Sequence, residues 1–425
     1  MPSLTRQQEK RSQWHLIASA CWGSLSGAMV HDSSIIILFA TLLGAGEMIS
    51  VCTTSLQDLS NCLLLMPLAY WVERVGKRRM IILSTWTGAV LLSLTAAAPW
   101  FGSGAKIVLI GSLALYAISN CAYTASWFPL LDGIVHEDER GRFFGIMRFT
   151  WQVVAGLFIF ISGCWVGKDA PIGALQIIIA VAGLALLGRG WHVNCVCEIP
   201  VERMLNFKEM VRDIVANRPL TGFSIYLFFL YAAASATGPV LFVFAKTQLA
   251  LPDNLVVIMS ACAMGGLIVG FLAGGFFVQR YGVKRVFFLA HLSFALINFL
   301  LLLVTSNSWV CVAFMIFLIT AYGFAFACAS IAVSSEMLGL APANNKAMSI
   351  AFCLSLYCAG QGASRFLASL ILGSGILSPT WGGMGLTLTK YHTLFLFFGS
   401  GVLTAAILLM LVPAFVKDVR RLPEF

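Results

Sequence analysis

The chain has 425 residues, 59% of them hydrophobic and only 11% charged, with a mean hydropathy of +0.90. A soluble domain carries about 25% charge; folded in water, this chain would leave too much apolar surface uncovered, so an integral membrane protein is expected. The net charge of +9 could suit nucleic acid, but its distribution along the chain argues for membrane topology and against that class of partner.

Runs of about 20 apolar residues, enough to cross a bilayer as a helix, predict twelve spans. The first, near 14–41, is too long for a cleaved leader, lacks a small-residue cleavage site, and carries His31 and Asp32 with apolar sequence continuing beyond them. Span two, near 50–72, holds Asp58 within TTSLQDLSN. Spans three to six fall near 80–98, 106–128, 143–167 and 171–189, with Arg148 near the inner end of span five. The segment that follows contains VERMLNFKEMVRDIVANRP, where Met204, Phe207, Val211, Ile214 and Val215 recur at helical spacing between charges. That pattern predicts an amphipathic helix lying on the membrane face. Spans seven to twelve fall near 220–244, 254–277, 286–304, 308–332, 347–372 and 392–415, with Arg365 in span eleven within GQGASRFLAS. The expected fold is an all-α membrane protein: a six-helix bundle over 1–190, a linker over 191–219 and a second six-helix bundle over 220–425.

Charge tests this map. With the N-terminus inside, inner segments hold 21 of the 27 Lys and Arg residues, while outer loops hold only Lys106, Lys168, Lys246 and Lys390. Such a bias is the positive-inside signal, and it places both termini in the cytoplasm. Most of the twelve cysteines lie in apolar runs, among them Cys21, Cys62, Cys121, Cys262, Cys311 and Cys353, where they act as small apolar residues. His192, Cys195 and Cys197 in WHVNCVCE come nearest to a metal motif but lack a fourth ligand. No phosphate-cradling G-x-x-x-x-G-K-S/T run occurs, so neither a metal, another cofactor nor ATP drive is expected.

The two halves repeat. At an offset of 206 residues, YWVERVGKRR aligns with FFVQRYGVKR, matching Val72 to Val278, Arg74 to Arg280, Gly76 to Gly282 and Arg79 to Arg285. The same offset pairs Arg140 with Lys346, Gly156 with Gly362 and Glu47 with Asp253. Parallel repeats of this kind are a known transporter architecture. Gly266, Gly270 and Gly274 recur every fourth position in span eight and predict a close-packing surface.

These motifs resemble those of the major facilitator superfamily, whose signature between helices two and three is G-x-x-x-D/E-R-x-G-R/K-R/K. AYWVERVGKR supplies Glu73, Arg74, Gly76, Lys77 and Arg78, with Ala69 where glycine is usual. GFFVQRYGVK supplies Gly275 and Arg280, with Gln279 at the acidic position and Val283 at a basic one. HEDERGRFFG before span five is similar to the family through Glu139, Arg140, Gly141 and Arg142. The resemblance spans nearly the whole chain. It implies a monomeric secondary transporter of a small organic solute, not an enzyme, in the inner or plasma membrane. The basic turn then becomes a conformational latch built from Glu73, Arg74, Gly76 and Arg78, with Arg140, Arg148 and Arg280. The competing class is a non-transporting receptor, sensor or scaffold that kept the fold, an option the weakened second motif favours.

Ionisable groups inside spans are functional candidates by default. His31 beside Asp32 can exchange protons near neutral pH, which suits proton coupling. Asp58 and Arg365 each lie about seven or eight residues from the outside, a shared depth of roughly 11–12 Å at 1.5 Å per residue. By resemblance, helices two and eleven face each other across the halves. A gating ion pair is therefore expected, because neither charge tolerates hydrocarbon alone. Polar and aromatic residues collect on spans one, four, seven and ten: Trp22, Ser26, Asn120, Tyr123, Thr124, Trp127, Tyr226, Tyr231 and Tyr322. By resemblance these helices line a central cavity, so these residues are the candidate substrate contacts, with protons and membrane lipid as the other partners.

Overall fold

The computed structural model describes residues 5–132, 134–135, 140–198, 207–342, 346–383 and 386–411. The side chains of Asp32, Glu73, Arg140 and Arg142 lie outside the described residues, as do Glu139 and the linker stretch 199–206 with Met204.

Helix α1 (Arg6–Gly27) starts at Thr5, whose side chain accepts from the Gln8 backbone while the Gln8 side chain accepts from the Thr5 backbone. This reciprocal box satisfies two of the donors that a helix start leaves open. A π-turn over Ala28–Asp32 leads into α2 (Ile35–Leu42), and the two arms meet at a bend of 49°. The second span is also broken, into α3 (Gly46–Thr53) and α4 (Leu56–Val75). Then follow α5 (Lys77–Ala97), α6 (Ala105–Asp132), α7 (Arg140–Val166) and α8 (Ile172–Asn194). The amphipathic α9 (Phe207–Ala216) buries Met210 and Ile214. The seventh span divides into α10 (Arg218–Ala234) and α11 (Thr237–Val243). The chain continues through α12 (Asp253–Tyr281), α13 (Val283–Leu300), α14 (Trp309–Leu340) and α15 (Lys346–Ser374). A hairpin of β1 (Thr380–Gly383) and β2 (Leu386–Thr389) precedes α16 (Lys390–Leu411).

Eight described helical stretches are long and apolar enough to cross a membrane, or nine with the bent first pair joined. One of the eight, Lys77–Leu131, contains two expected spans, separated by the irregular backbone at Gly102. Helices α4 and α15 occupy expected spans too. Their hydropathy is lowered by Gln57, Asp58 and Asn61 on one and Gln361 and Arg365 on the other, all buried in protein. Polar residues in a membrane helix are tolerated where they face protein in this way.

The helices pack as an all-α membrane bundle in two repeated halves. In the first, α1 lies against α7 and α8, α5 against α6 and α8, and α4 against α6; in the second, α12 lies against α14, α10 against α15, and α13 against α14 and α16. The glycine stripe explains the tightest of these contacts. A Cβ added to Gly266 would sit 2.0 Å from the Thr320 carbonyl oxygen, and one on Gly270 2.5 Å from that of Phe324. Only hydrogen at these positions lets α12 and α14 touch backbone to backbone. The two basic turns rest on glycines as well: Gly76 has φ 99° and Gly282 φ 80°, a region that side chains resist.

The halves meet where α3 and α4 pack on α15 and where α7 packs on α12. At the end of the bundle opposite the basic turns, polar groups tie them together. Asp253 N–H donates to the Lys168 carbonyl at 2.8 Å, and Ala170 N–H donates to the Asp253 carboxylate at 2.9 Å. Ser34 and Ser260 join their hydroxyls at 2.9 Å, and Lys390 pairs with Glu47. Glu47 and Asp253 are the two acids matched by the internal repeat, and each reaches into the opposite half.

Candidate functional site

Three spans are interrupted at one level, and Arg365 sits among the interruptions. Its guanidinium lies 3.1 Å from the Asp58 carboxylate, with Arg365 7% and Asp58 2% exposed. It donates to the Thr54 carbonyl at 3.0 Å, at the break between α3 and α4. It also donates to the Ser235 carbonyl at 3.4 Å, at the break between α10 and α11. The second break has a legible cause. The N–H that would close a helical bond onto Ser235 belongs to position 239, which is proline. The freed carbonyl finds a cation instead of hydrocarbon. Nearby, the Ala236 N–H donates to Ser364 Oγ at 3.1 Å, and Tyr322 OH donates to the Ala234 carbonyl at 2.9 Å.

His31 completes the cluster from the π-turn of the first span. Its Nδ1 lies 3.2 Å from Arg365 and its Nε2 4.0 Å from Asp58. Arginine can only donate, so Nδ1 must accept. The imidazole is therefore neutral in this arrangement, with its proton on Nε2 facing Asp58. Asp58, Arg365 and His31 thus come together from α4, α15 and the first span, and both halves contribute. The sequence reading set His31 with Asp32, whose side chain lies outside the described residues; the structure adds Asp58 as a neighbour of His31.

The first basic turn is held from its own half. The Glu198 carboxylate, just beyond α8, accepts from Lys77 N–H at 2.7 Å, an anion at the exposed N-terminus of α5. Lys77 Nζ donates to the Pro129 carbonyl at 3.0 Å, and Arg78 donates to the Val196 carbonyl at 3.3 Å. Arg74 donates to Tyr70 OH at 2.6 Å and lies over that ring, while Arg280 in the second turn lies 5.9 Å from the Phe276 and Tyr281 ring centres. Arg148 shares the lining of one cavity with Lys77, and its guanidinium lies 5.9 Å from the centre of Phe271 on α12.

Two cavities lie between the halves. The larger, about 520 Å³, is lined by α4, α5, α6 and α7 on one side and α14 and α15 on the other, with Met210 of α9, towards the basic-turn end. The smaller, about 80 Å³, adjoins the cluster and is lined by His31, Arg365, Tyr322 and Ser235 among others. Of the nine candidate substrate contacts, Thr124 lines the larger cavity and Tyr322 the smaller. The other seven line neither. Asn120 joins a polar chain, donating to Gln57, which donates to Asn61. Ser26 bonds back to its own helix at Gly23. Tyr226 pairs with His291, and Tyr231 packs edge-on against Tyr357 at 4.3 Å, both inside the second half. Trp22 packs over Gly188, and Trp127 packs on Tyr123.

The inner charges expected from the sequence include Arg189, at the end of span six; it is only 6% exposed within α8, its guanidinium 3.9 Å from the Tyr123 ring centre and directly over Gly23. A run of apolar residues that ends in Leu-Gly-Arg-Gly does not say where the helix stops, so sequence alone truncated this span. His192, considered with Cys195 and Cys197, instead meets His15 of α1, Nδ1 to Nδ1 at 3.0 Å.

Comparison with known proteins agrees with this architecture. Several solved transporters share the fold at low sequence identity. The nucleoside transporter NupG is 15% identical, with 95% of this chain and 98% of that chain covered and a TM-score of 0.65. A POT family transporter in complex with a thioalcohol-conjugated peptide is 13% identical, with 94% and 96% covered and a TM-score of 0.72. A D-xylose–proton symporter is 11% identical, with 95% and 97% covered and a TM-score of 0.71. No curated protein sequence matches the chain. The family model of the Major Facilitator Superfamily matches residues 35–364, most of the chain, and the protein belongs to that superfamily of membrane transporters.

Proposed function

We propose that the protein is a secondary transporter that moves a small organic solute by alternating access, with its basic-turn end in the cytoplasm and its outer end closed in the state described. The moving units are 1–190 and 220–425, joined by the 191–219 linker, and the monomer is the working form in the cell membrane. The observation that carries this reading is the asymmetry between the two ends. Ion pairs and hydrogen bonds join the halves at one end, while a cavity of about 520 Å³ separates them towards the other. The Asp58–Arg365 pair acts as the outer gate and His31 as its proton-sensitive member. Protonating His31 at Nδ1 removes an acceptor from Arg365 and sets a second cation 3.2 Å away, which favours opening. Glu73, Arg74, Gly76 and Arg78, with Arg140 and Arg280, serve the opposite, inner closure. Solved transporters of the same fold, among them a nucleoside transporter, a POT family transporter holding a conjugated peptide and a D-xylose–proton symporter, support a small polar or amphipathic cargo.

The test is flux in proteoliposomes, across a panel of sugars, nucleosides, amino acids and organic acids, with and without a pH gradient. Uptake above that of empty liposomes, accelerated by the gradient and lost in Asp58→Arg, supports the reading. The absence of flux for every solute, with an outer surface whose accessibility never changes, would refute it.

A further inference from the structure

The larger cavity has an unusual charge balance. Among the described residues, its charged lining residues are Lys77 and Arg148, its other polar side chains are Thr124, Ser334 and Ser335, and no carboxylate lines it. The hydroxyls of Thr124 and Ser334 donate to carbonyls of their own helices, so they offer lone pairs to the cavity rather than protons. The remaining wall is apolar, with Phe128 and Phe144 on the side of the first half. Among the described residues, Glu336 of α14 is buried beside the lining residues Ser335 and Met337 without entering the lining itself, and three other acids are already engaged. Asp58 takes Arg365, Asp253 takes Lys246 at 2.5 Å, and Glu47 takes Lys390, and no ion pair reaches Arg148. Arg148 is half-buried, stands on α7 and reaches Phe271 on α12, so it bridges the two halves at the cavity wall.

Arginine cannot discharge by losing its proton. A half-buried guanidinium set against an apolar wall is costly to leave uncompensated, and the group that compensates it gains most. A cationic solute would be repelled, and a neutral sugar would leave both the charge and the apolar wall without partners. We infer that the carried solute is an amphipathic organic anion, a monocarboxylate with an apolar body, whose acid group pairs with Arg148 while its body lies against Phe128 and Phe144. A planar carboxylate matches the guanidinium fork in two parallel hydrogen bonds. The cavity volume lies within the range of about 300–1,000 Å³ usual for small-molecule sites. Because Arg148 contacts both halves, a bound anion would also couple site occupancy to their relative position. This inference rests on the transporter reading for its meaning, but its test is made on binding alone.

The experiment uses the purified full chain in uncharged detergent, titrated with 3-phenylpropionate and octanoate, with their primary amides, and with inorganic phosphate and glucose. Thermal stabilisation reports binding. The expected result is that each carboxylate binds at least tenfold more tightly than its amide, and that phosphate and glucose bind no better than the amides. Arg148→Gln should lose that preference, and Arg148→Lys should keep part of it. If Arg148→Gln elutes as aggregate, Ser335→Glu provides the second arm, since it adds an anion to the same wall and should abolish carboxylate binding. Equal binding of acid and amide, or undiminished acid binding in a well-folded Arg148→Gln, would overturn the assignment. Phosphate binding as tightly as the carboxylates would overturn the choice of a carboxylate. Acid-selective binding without flux in proteoliposomes would leave this site standing and sink the transport reading instead.

Discussion

Replacing Asp58 by Asn should open the outer face. The change keeps shape and an accepting oxygen but removes the charge that lies 3.1 Å from Arg365, with both side chains almost fully buried. Stripping one partner from a buried pair costs about 3–5 kcal/mol. Arg365 keeps the Thr54 and Ser235 carbonyls and His31, so the loss belongs at the lower bound, about 3 kcal/mol. Since each 1.4 kcal/mol is tenfold, the outer-closed state should lose roughly a hundredfold relative to the open one. The carbonyls also predict an asymmetric charge swap. Asp58→Arg with Arg365→Asp restores a pair but turns a carboxylate towards two carbonyl oxygens, so its recovery should be partial. Spin labels at Ser103→Cys and Ser306→Cys, exposed positions in outer loops of the two halves, would report the distance on a background without the native cysteines. The distribution should lengthen in Asp58→Asn. Identical distributions in the parent and Asp58→Asn, with unaltered flux, would show that the pair is structural furniture and not a gate.

His31→Gln should leave downhill flux intact while abolishing accumulation driven by a pH gradient, and acid should then no longer lengthen the outer-loop distance; accumulation surviving in this variant would move coupling elsewhere. Glu198→Ala should lower the melting temperature by removing the carboxylate on Lys77 N–H, a loss of about 0.5–2 kcal/mol by analogy with helix N-caps; no change on a calorimetric scan would show the contact to be marginal. Gly270→Leu should cost more than the usual 1–3 kcal/mol of overpacking, because the added carbon meets the Phe324 backbone oxygen at 2.5 Å and not a movable side chain; a monodisperse, normally stable Gly270→Leu on size exclusion would contradict the packing argument.

Membrane class, the order of the helices, the internal repeat and the family resemblance were all legible in the sequence. Each rests on local or periodic information: apolar runs of bilayer length, basic residues concentrated in alternate loops, and glycines at matching turns such as Gly76 and Gly282. The cost of burying charge also made Asp58, Arg365 and His31 conspicuous, since any such residue in hydrocarbon must find a partner. Asp58 and Arg365 were already matched by their shared depth; which further partners each one finds was a tertiary matter. His31 meets Asp58 where a π-turn and a bend redirect the first span. Arg365 gathered two backbone carbonyls because three spans break at its level, and of these breaks only the one at Ser235 had a visible cause, Pro239. Tyr226 and Tyr231 carried the composition of cavity residues, yet packing used them inside one half, where His291 and Tyr357 received them. The burial of Arg189 was not legible, because hydropathy cannot distinguish a helix end from a buried charge shielded by an aromatic face. The cavity that holds Arg148 belongs to no single segment, since seven helices line it, and only their assembly decides which charges face the space between them.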